Sequence, residues 1–416
     1  MKISYLLLGS LLLFFNSYIY AQEITLDKLV KLKSHTLQEN DSIIISEIGF
    51  SSYNSDCSKL AISSPSIGDM VIIYDSIGKI SNVIKPVYFI ADSIYFKTKV
   101  WRKGYKIVSI NDLLTNKENE RFSTKIISLL NHSYYKSIFI NDTILAILGR
   151  INCYICENSN LDYNIKNISL ASFCSIILFD VIENKINCIF SFDKSVPYWA
   201  QPKSFAYDTI NKYYYCTCSN LSGSNDSLSI ISLYSESGKY VKKIANLPNE
   251  YIQSGIEYKA NCDPEFILNR NNELIGIFPY IEKIFNFTNN TSFSLKGLKD
   301  SNYLGFDILF QDNEIISNNL DTLLYIFPHT IDNIYLTNRG SYLIIISHKL
   351  KNQNKVIEYI IQEYSTDGCL LYNVILPFKI ESGSILHISY NKCRDLVVTY
   401  SIDKKLGWTV TFWERK

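Results

Sequence analysis

A short apolar strand, a tight polar turn and a second short strand recur along the whole chain. Val71-Ile72-Ile73-Tyr74 enters Asp75-Ser76-Ile77-Gly78-Lys79, and Ile176 to Phe179 enters Asp180-Val181-Ile182-Glu183-Asn184-Lys185. Ile230 to Tyr234 enters Ser235-Glu236-Ser237-Gly238-Lys239, and Ile357 to Tyr364 enters Ser365-Thr366-Asp367-Gly368. Gly or Asn late in such a turn supplies the positive φ that a tight hairpin needs. A second unit, a polar turn opening directly into a strand, stands at Ser58 to Ile62, Asn141 to Ala146, Asn211 to Tyr215, Asn272 to Gly276 and Arg394 to Val398. The only run with helix-like apolar spacing is Ile24 to Leu37.

Paired turn units repeated every roughly 35 to 70 residues predict an all-β chain of radially repeated four-stranded sheets, a β-propeller. A sandwich has a similar strand density but does not pair each short strand with a following hairpin. The spacing allows six to eight blades. No Pro, Gly or Ser tract divides the chain, so the expected organisation is a signal over 1–21, a lead segment over 22–40 and one propeller over 41–416. Lys plus Arg total 41 against 40 Asp plus Glu, a net charge of +1. Such a balance excludes a broad nucleic-acid footprint. With 47% hydrophobic and 14% aromatic residues the chain is too apolar for intrinsic disorder.

Lys2 is followed by an apolar run to Phe15, a more polar stretch and Ala21, the pattern of a secretory signal. The run is too short to span a bilayer. No Cys precedes Cys57, so no lipid-bearing Cys stands at the end of that signal. The expected location is therefore periplasm or cell surface, not as a lipoprotein. Ten Cys in an exported chain permit disulfides. Their pairing is not legible. Cys153-Tyr-Ile-Cys156 and Cys216-Thr-Cys218 lie in strand-like surroundings and read as a local disulfide or buried thiols. A four-Cys metal site is the competing reading.

The strand and hairpin Met70 to Ile80, the unit Asn141 to Ala146, the segment Asp263 to Ile267 leading to Asn272-Glu273-Leu274, and Asn319 to Ile326 carry a resemblance. They are similar to exported six-bladed, TolB-like propellers of the Bacteroidetes type. That resemblance implies six blades and brings no assigned activity with it.

Five His, none spaced as H-x-x-x-H or H-x-H, and no G-x-S-x-G or phosphate loop leave no local catalytic motif. No catalytic or cofactor-binding residue is therefore named. Propeller enzymes such as six-bladed lactonases hold calcium in the central channel with Glu, Asn and Asp. By that analogy Asp263, Glu265, Asp307 and Asn141 are the candidate oxygen ligands, against the plainer reading of turn and edge residues. Asp followed by Ser or Thr and an aliphatic residue occurs seven times. The tripeptide resembles the Bacteroidetes O-glycosylation acceptor and implies Ser42, Ser76, Ser93, Thr143, Thr209, Ser227 and Thr322 as glycan carriers. Asp closing a turn ahead of a strand explains the same pattern. The expected function is a monomeric, non-catalytic binding scaffold of the cell envelope, with a protein or glycan ligand. The competing expectation is a calcium-dependent hydrolase or lyase working in the central channel.

Overall fold

Runs such as Val71-Ile72-Ile73-Tyr74 and Leu343 to Ile346 are buried at every position. Alternate side chains of a strand point to opposite faces, so both faces of these sheets are covered. A computed structural model shows how. It describes residues 28–40, 43–64, 70–84, 105–107, 133–157, 168–191, 204–217, 229–254, 263–298, 327, 329–349, 356–380, 383–403 and 407–416.

The first strand, β1 (Leu29–Thr36), does not join the sheet that follows it. Blade 1 is β2 (Phe50–Tyr53), β3 (Lys59–Ser64), β4 (Met70–Asp75) and β5 (Ile80–Ile84). Blade 2 has β6 (Tyr105–Ile107) on the far end of its second strand. Its main strands are β7 (Ser133–Phe139), β8 (Ile144–Glu157), β9 (Ile168–Asp180) and β10 (Lys185–Ser191). Blade 3 is β11 (Phe205–Asp208), β12 (Tyr213–Thr217), β13 (Ser229–Ser235) and β14 (Tyr240–Asn246). Blade 4 is β15 (Glu265–Leu268), β16 (Leu274–Phe278), β17 (Ile281–Asn286) and β18 (Thr291–Ser294). Blade 5 is β19 (His329–Leu336), β20 (Tyr342–Lys349), β21 (Val356–Tyr364) and β22 (Leu370–Pro377). Blade 6 is β24 (Gly383–Asn391), β25 (Leu396–Asp403) and β26 (Gly407–Arg415), with the two-residue β23 (Lys379–Ile380) on the start of β24.

These sheets close into a six-bladed β-propeller. Six apolar cores fill the six interfaces between neighbouring blades. Ala61, Val71 and Ile73 of blade 1 meet Leu145 and Ile147 of blade 2, while Ala146 and Leu148 on the other face meet Phe205 and Tyr214 of blade 3. The same alternation puts Val397 against blade 5 and its neighbour Val398 against blade 1. A ring needs as many interfaces as blades, and the last one is made by Leu60, Ile62 and Ile72 against Val398, Tyr400 and Trp408.

Two further devices hold that seam. β1 pairs antiparallel with β26, from Leu29 opposite Arg415 to Thr36 opposite Thr409, and so becomes the outermost strand of blade 6. Cys57, in the turn after β2, forms a disulfide with Cys393, in the turn after β24, across 336 residues. Within the lead expected over 22–40, where Ile24 to Leu37 has helix-like spacing, Leu29–Thr36 is therefore a strand of the propeller. Of the close Cys pairs, Cys216 is buried and Cys218 lies outside the described residues. Cys153 and Cys156 both sit on β8.

The recurring hairpins and strand-opening units are two turns of one blade. In each four-stranded antiparallel sheet the first and third turns share one end of the propeller. Asp or Asn side chains build them: Asp75 accepts from the amides of Ile77 and Lys79, Asp180 from Ile182 and Glu183, and Asn269 from Asn271 and Glu273. The connections between blades, such as 85–132 and 295–328, begin and end at the opposite end. Loops carry recognition more often than turns do, so that second end is the loop-bearing face.

Candidate functional site

The first strand of each blade lines the central channel, and β2, β7, β11, β15, β19 and β24 are those strands. Each starts at the loop-bearing face. Phe50 and Glu265 are the first residues of their strands, and Ser204 immediately precedes β11. All three therefore stand near the loop-bearing mouth.

Lys136 of blade 2 gathers them. Its ammonium donates to Glu265 Oε2 of blade 4 at 2.7 Å and to Ser204 Oγ at the start of blade 3 at 2.9 Å. It also lies 4.4 Å from the centre of the Phe50 ring of blade 1. Only the propeller axis is within reach of four different blades, so this ammonium sits across the channel. Ser204 Oγ donates in turn to Glu265 Oε2 at 2.9 Å, which closes a three-membered network. Lys136 is almost wholly buried and is charge-paired, the condition under which a buried lysine is stable. Glu265 stays partly open to the channel.

Backbone bulges aim the next groups. The register of β7 slips between Tyr134 and Lys136, that of β19 between Ile331 and Asn333, and that of β24 between Ile385 and His387. A bulge leaves its extra residue unpaired and turns its side chain. In β19 that residue is Asp332. Burial pushes its carboxyl up to about 7, against the opposing pull of Ser347 Oγ at 3.3 Å and of Lys349. In β24 it is Leu386, 46% exposed although its strand is packed between blades 5 and 1. Leu386 is the fourth residue of this channel-lining strand and so stands near the loop-bearing mouth. Beside it His387 bonds Ser51 Oγ of blade 1 at 3.2 Å, and burial lowers its imidazole to about 4, so it is neutral at pH 7. Burial raises the Tyr335 hydroxyl well above its ordinary value, with Tyr400, Glu265 and Asp332 adding to the effect, and the hydroxyl donates to the Ile388 carbonyl at 3.2 Å.

Of the four residues nominated as metal ligands, Glu265 is in the channel but is held by Lys136. Asp263 lies two residues before its strand. Asn141 lies at the opposite end, where its side chain accepts from the amides of Thr143 and Ile144. Asp307 lies outside the described residues. The described three thus do not converge. Among the described residues no group of three or more His, Cys, Asp or Glu is arranged to hold a metal ion. Lys136, Ser204, Asp332 and His387 were not nominated from sequence.

The possible glycan acceptors divide by setting. Ser76 and Thr209 are exposed on Asp-closed turns, and their aliphatic neighbours Ile77 and Ile210 are exposed as well. Thr143 is half-buried and its hydroxyl donates to Asn141 Oδ1 at 3.1 Å. The Asp142 before it is engaged by Ser55 of blade 1. Ser42, Ser93, Ser227 and Thr322 lie outside the described residues.

No family model matches the chain, and no curated protein matches it. Solved structures do. A protein of Bacteroides fragilis described as exported aligns at 10% identity over 95% of this chain and 96% of its own, with a TM-score of 0.51. A member of the DUF4221 family from Bacteroides vulgatus aligns at 8% identity over 94% and 98%, with a TM-score of 0.53. The chain thus shares its six-bladed propeller fold with exported and DUF4221-family proteins of Bacteroides.

Proposed function

We propose that this chain is an exported, non-catalytic binding propeller of the periplasm or cell surface. Its ligand, a glycan or an envelope protein, sits at the loop-bearing mouth of the central channel. The observation that carries this reading is the Lys136 network. Among the described residues near the mouth, the Lys136 and Glu265 charges are spent on each other, and with Ser204 they tie three blades into a polar floor. Leu386 and Phe50 beside that floor supply apolar surface of the kind a binding pocket combines with few polar groups. The disulfide supports export, since such bonds persist in oxidising compartments. So does the fold shared with a Bacteroides protein described as exported.

The test is a printed array of cell-envelope glycans and peptides, probed with the wild type and with Leu386→Asp in the presence of EDTA. Retained spots that Leu386→Asp loses support the reading. Spots insensitive to Leu386→Asp, or an array blank for the wild type, count against it.

Asp332 favours a second reading, a calcium-assisted hydrolase or lyase in the same channel. A carboxyl that titrates near neutrality suits general acid or base work. In that reading calcium raises the melting temperature and EDTA lowers it. We further propose Ser76 and Thr209, before Thr143, as O-glycan carriers, because they combine an exposed hydroxyl with an Asp fixed by its own turn. Peptide mass spectrometry of protein from its native source tests this.

A further inference from the structure

Away from the channel, at the tight-turn end, a cavity of about 550 Å³ opens between blades 5 and 6. Arg339 of the turn after β19 and Arg394 of the turn after β24 stand on its rim, and Leu371 and Tyr372 of β22 form one wall. Its floor is a buried ion network. Arg415 of β26 donates to both Glu363 of β21 and Asp395 of blade 6. Ser341 donates to Glu363, Tyr390 donates to Asp395 at 2.5 Å, and the Arg415 guanidinium lies 5.5 Å from the centre of the Tyr390 ring.

The charge at this cavity is unevenly satisfied. Every lining carboxylate has a cation: Glu363 and Asp395 share Arg415, and Glu414 lies 3.8 Å from Lys416. The rim guanidiniums do not have the converse. Arg339 is 74% exposed and has only a 3.4 Å contact to Asp395, which Arg415 already holds. Arg394 makes no ion pair with any described residue; Lys33, which does not line the cavity, is made more acidic by burial and by this guanidinium. Guanidinium groups that lack a carboxylate of their own are met by an anion, and they match oxyanions in geometry.

We propose that this cavity binds a small organic oxyanion, a carboxylate or a phosphate ester, between Arg339 and Arg394. Its volume falls in the range of small-molecule sites, about 300 to 1,000 Å³, and is far more than a bare ion needs. Ser341, Ser365 and Thr366 add hydroxyls to the lining, while Leu371, 56% exposed, adds an apolar contact for the body of the ligand.

The experiment is a thermal melt with calorimetric titration, using inorganic phosphate, glucuronate and glucose. The wild type is compared with Arg339→Gln, Arg394→Gln and a control, Lys239→Gln, on an exposed turn of blade 3. The expected result is binding of phosphate, glucuronate or both, none of glucose, and a loss of about tenfold or more in affinity in each Arg variant but not in the control. Phosphate alone assigns a phosphate ester, and glucuronate alone a carboxylate. Arg394→Gln removes no ion pair and serves if Arg339→Gln lowers stability by itself. Binding of neither anion, or equal binding by Arg394→Gln and wild type, overturns the proposal.

Discussion

Cys57 and Cys393 are separated by 336 residues and are joined by a disulfide. They stand in equivalent turns of blades 1 and 6, where the ring closes. A cross-link over so long a loop restricts the unfolded chain strongly, and native disulfides contribute about 2–5 kcal/mol. Cys393→Ser, or reductant, is therefore expected to lower the unfolding free energy from denaturant melts by an amount in that range while far-UV circular dichroism stays β-rich. The β1–β26 pairing still closes the seam in that variant, so a complete loss of the fold contradicts this assignment.

Lys136 and Glu265 give a second expectation. Removing one partner of a buried pair leaves the other uncompensated and costs about 3–5 kcal/mol, whereas replacing both is close to neutral. Glu265 is partly exposed, so Glu265→Gln falls toward the lower end of that range. Urea melts of Lys136→Met, Glu265→Gln and the double variant test the coupling. The double variant is expected to be more stable than Lys136→Met alone, and simple additivity rules out the network.

The pH dependence has two opposed parts. The folded Asp332 carboxyl is raised to about 7, so its favourable contribution is present below its unfolded value of about 4 and is lost as pH rises toward 7. The folded His387 is lowered to about 4, so its contribution is present above about 6.5 and is lost as pH falls toward 4. Asp332→Asn is therefore expected to stabilise at pH 8 and to change little at pH 4. His387→Gln is expected to flatten the loss of stability between pH 6 and 4. Melting temperatures across pH 4 to 8 decide both. An Asp332→Asn variant no more stable at pH 8 than the wild type removes the buried-carboxyl assignment.

Gly276 makes a local test of how the channel is built. A Cβ there meets Phe287 at 2.6 Å and the Glu265 carbonyl at 2.7 Å. Overpacking of this kind costs about 1–3 kcal/mol. Gly276→Ala is expected to lose that much stability, and a neutral effect in a chemical melt shows that β15 moves aside freely.

The turns were legible because their chemistry is local. Asp75, Asp180 and Asn269 accept amides within four residues, so the repeating hairpins, and from them the propeller, follow from short windows of sequence. β1 was not legible as a strand of blade 6. As an outermost strand it is mostly exposed along its length, so its apolar pattern is weak and matched a helix period instead. The site was less legible still. Lys136 reaches partners 68 and 129 residues away, and its own strand, Ser133–Phe139, reads like any strand with an outward lysine. Asp332 is singled out only by a bulge, which depends on the partner strand. Glu265 was named by analogy as one possible oxygen ligand of calcium; in the structure a lysine ammonium holds it.

The most direct measurement places a photo-crosslinking amino acid at Leu386, near the loop-bearing mouth, and separately at Ile210, on the tight-turn face. Each protein is irradiated with envelope extract from its native source, and adducts are identified by mass. Binding at the loop-bearing mouth predicts a discrete adduct from position 386 and none from position 210. An adduct from 210 alone, or none from 386, contradicts the account.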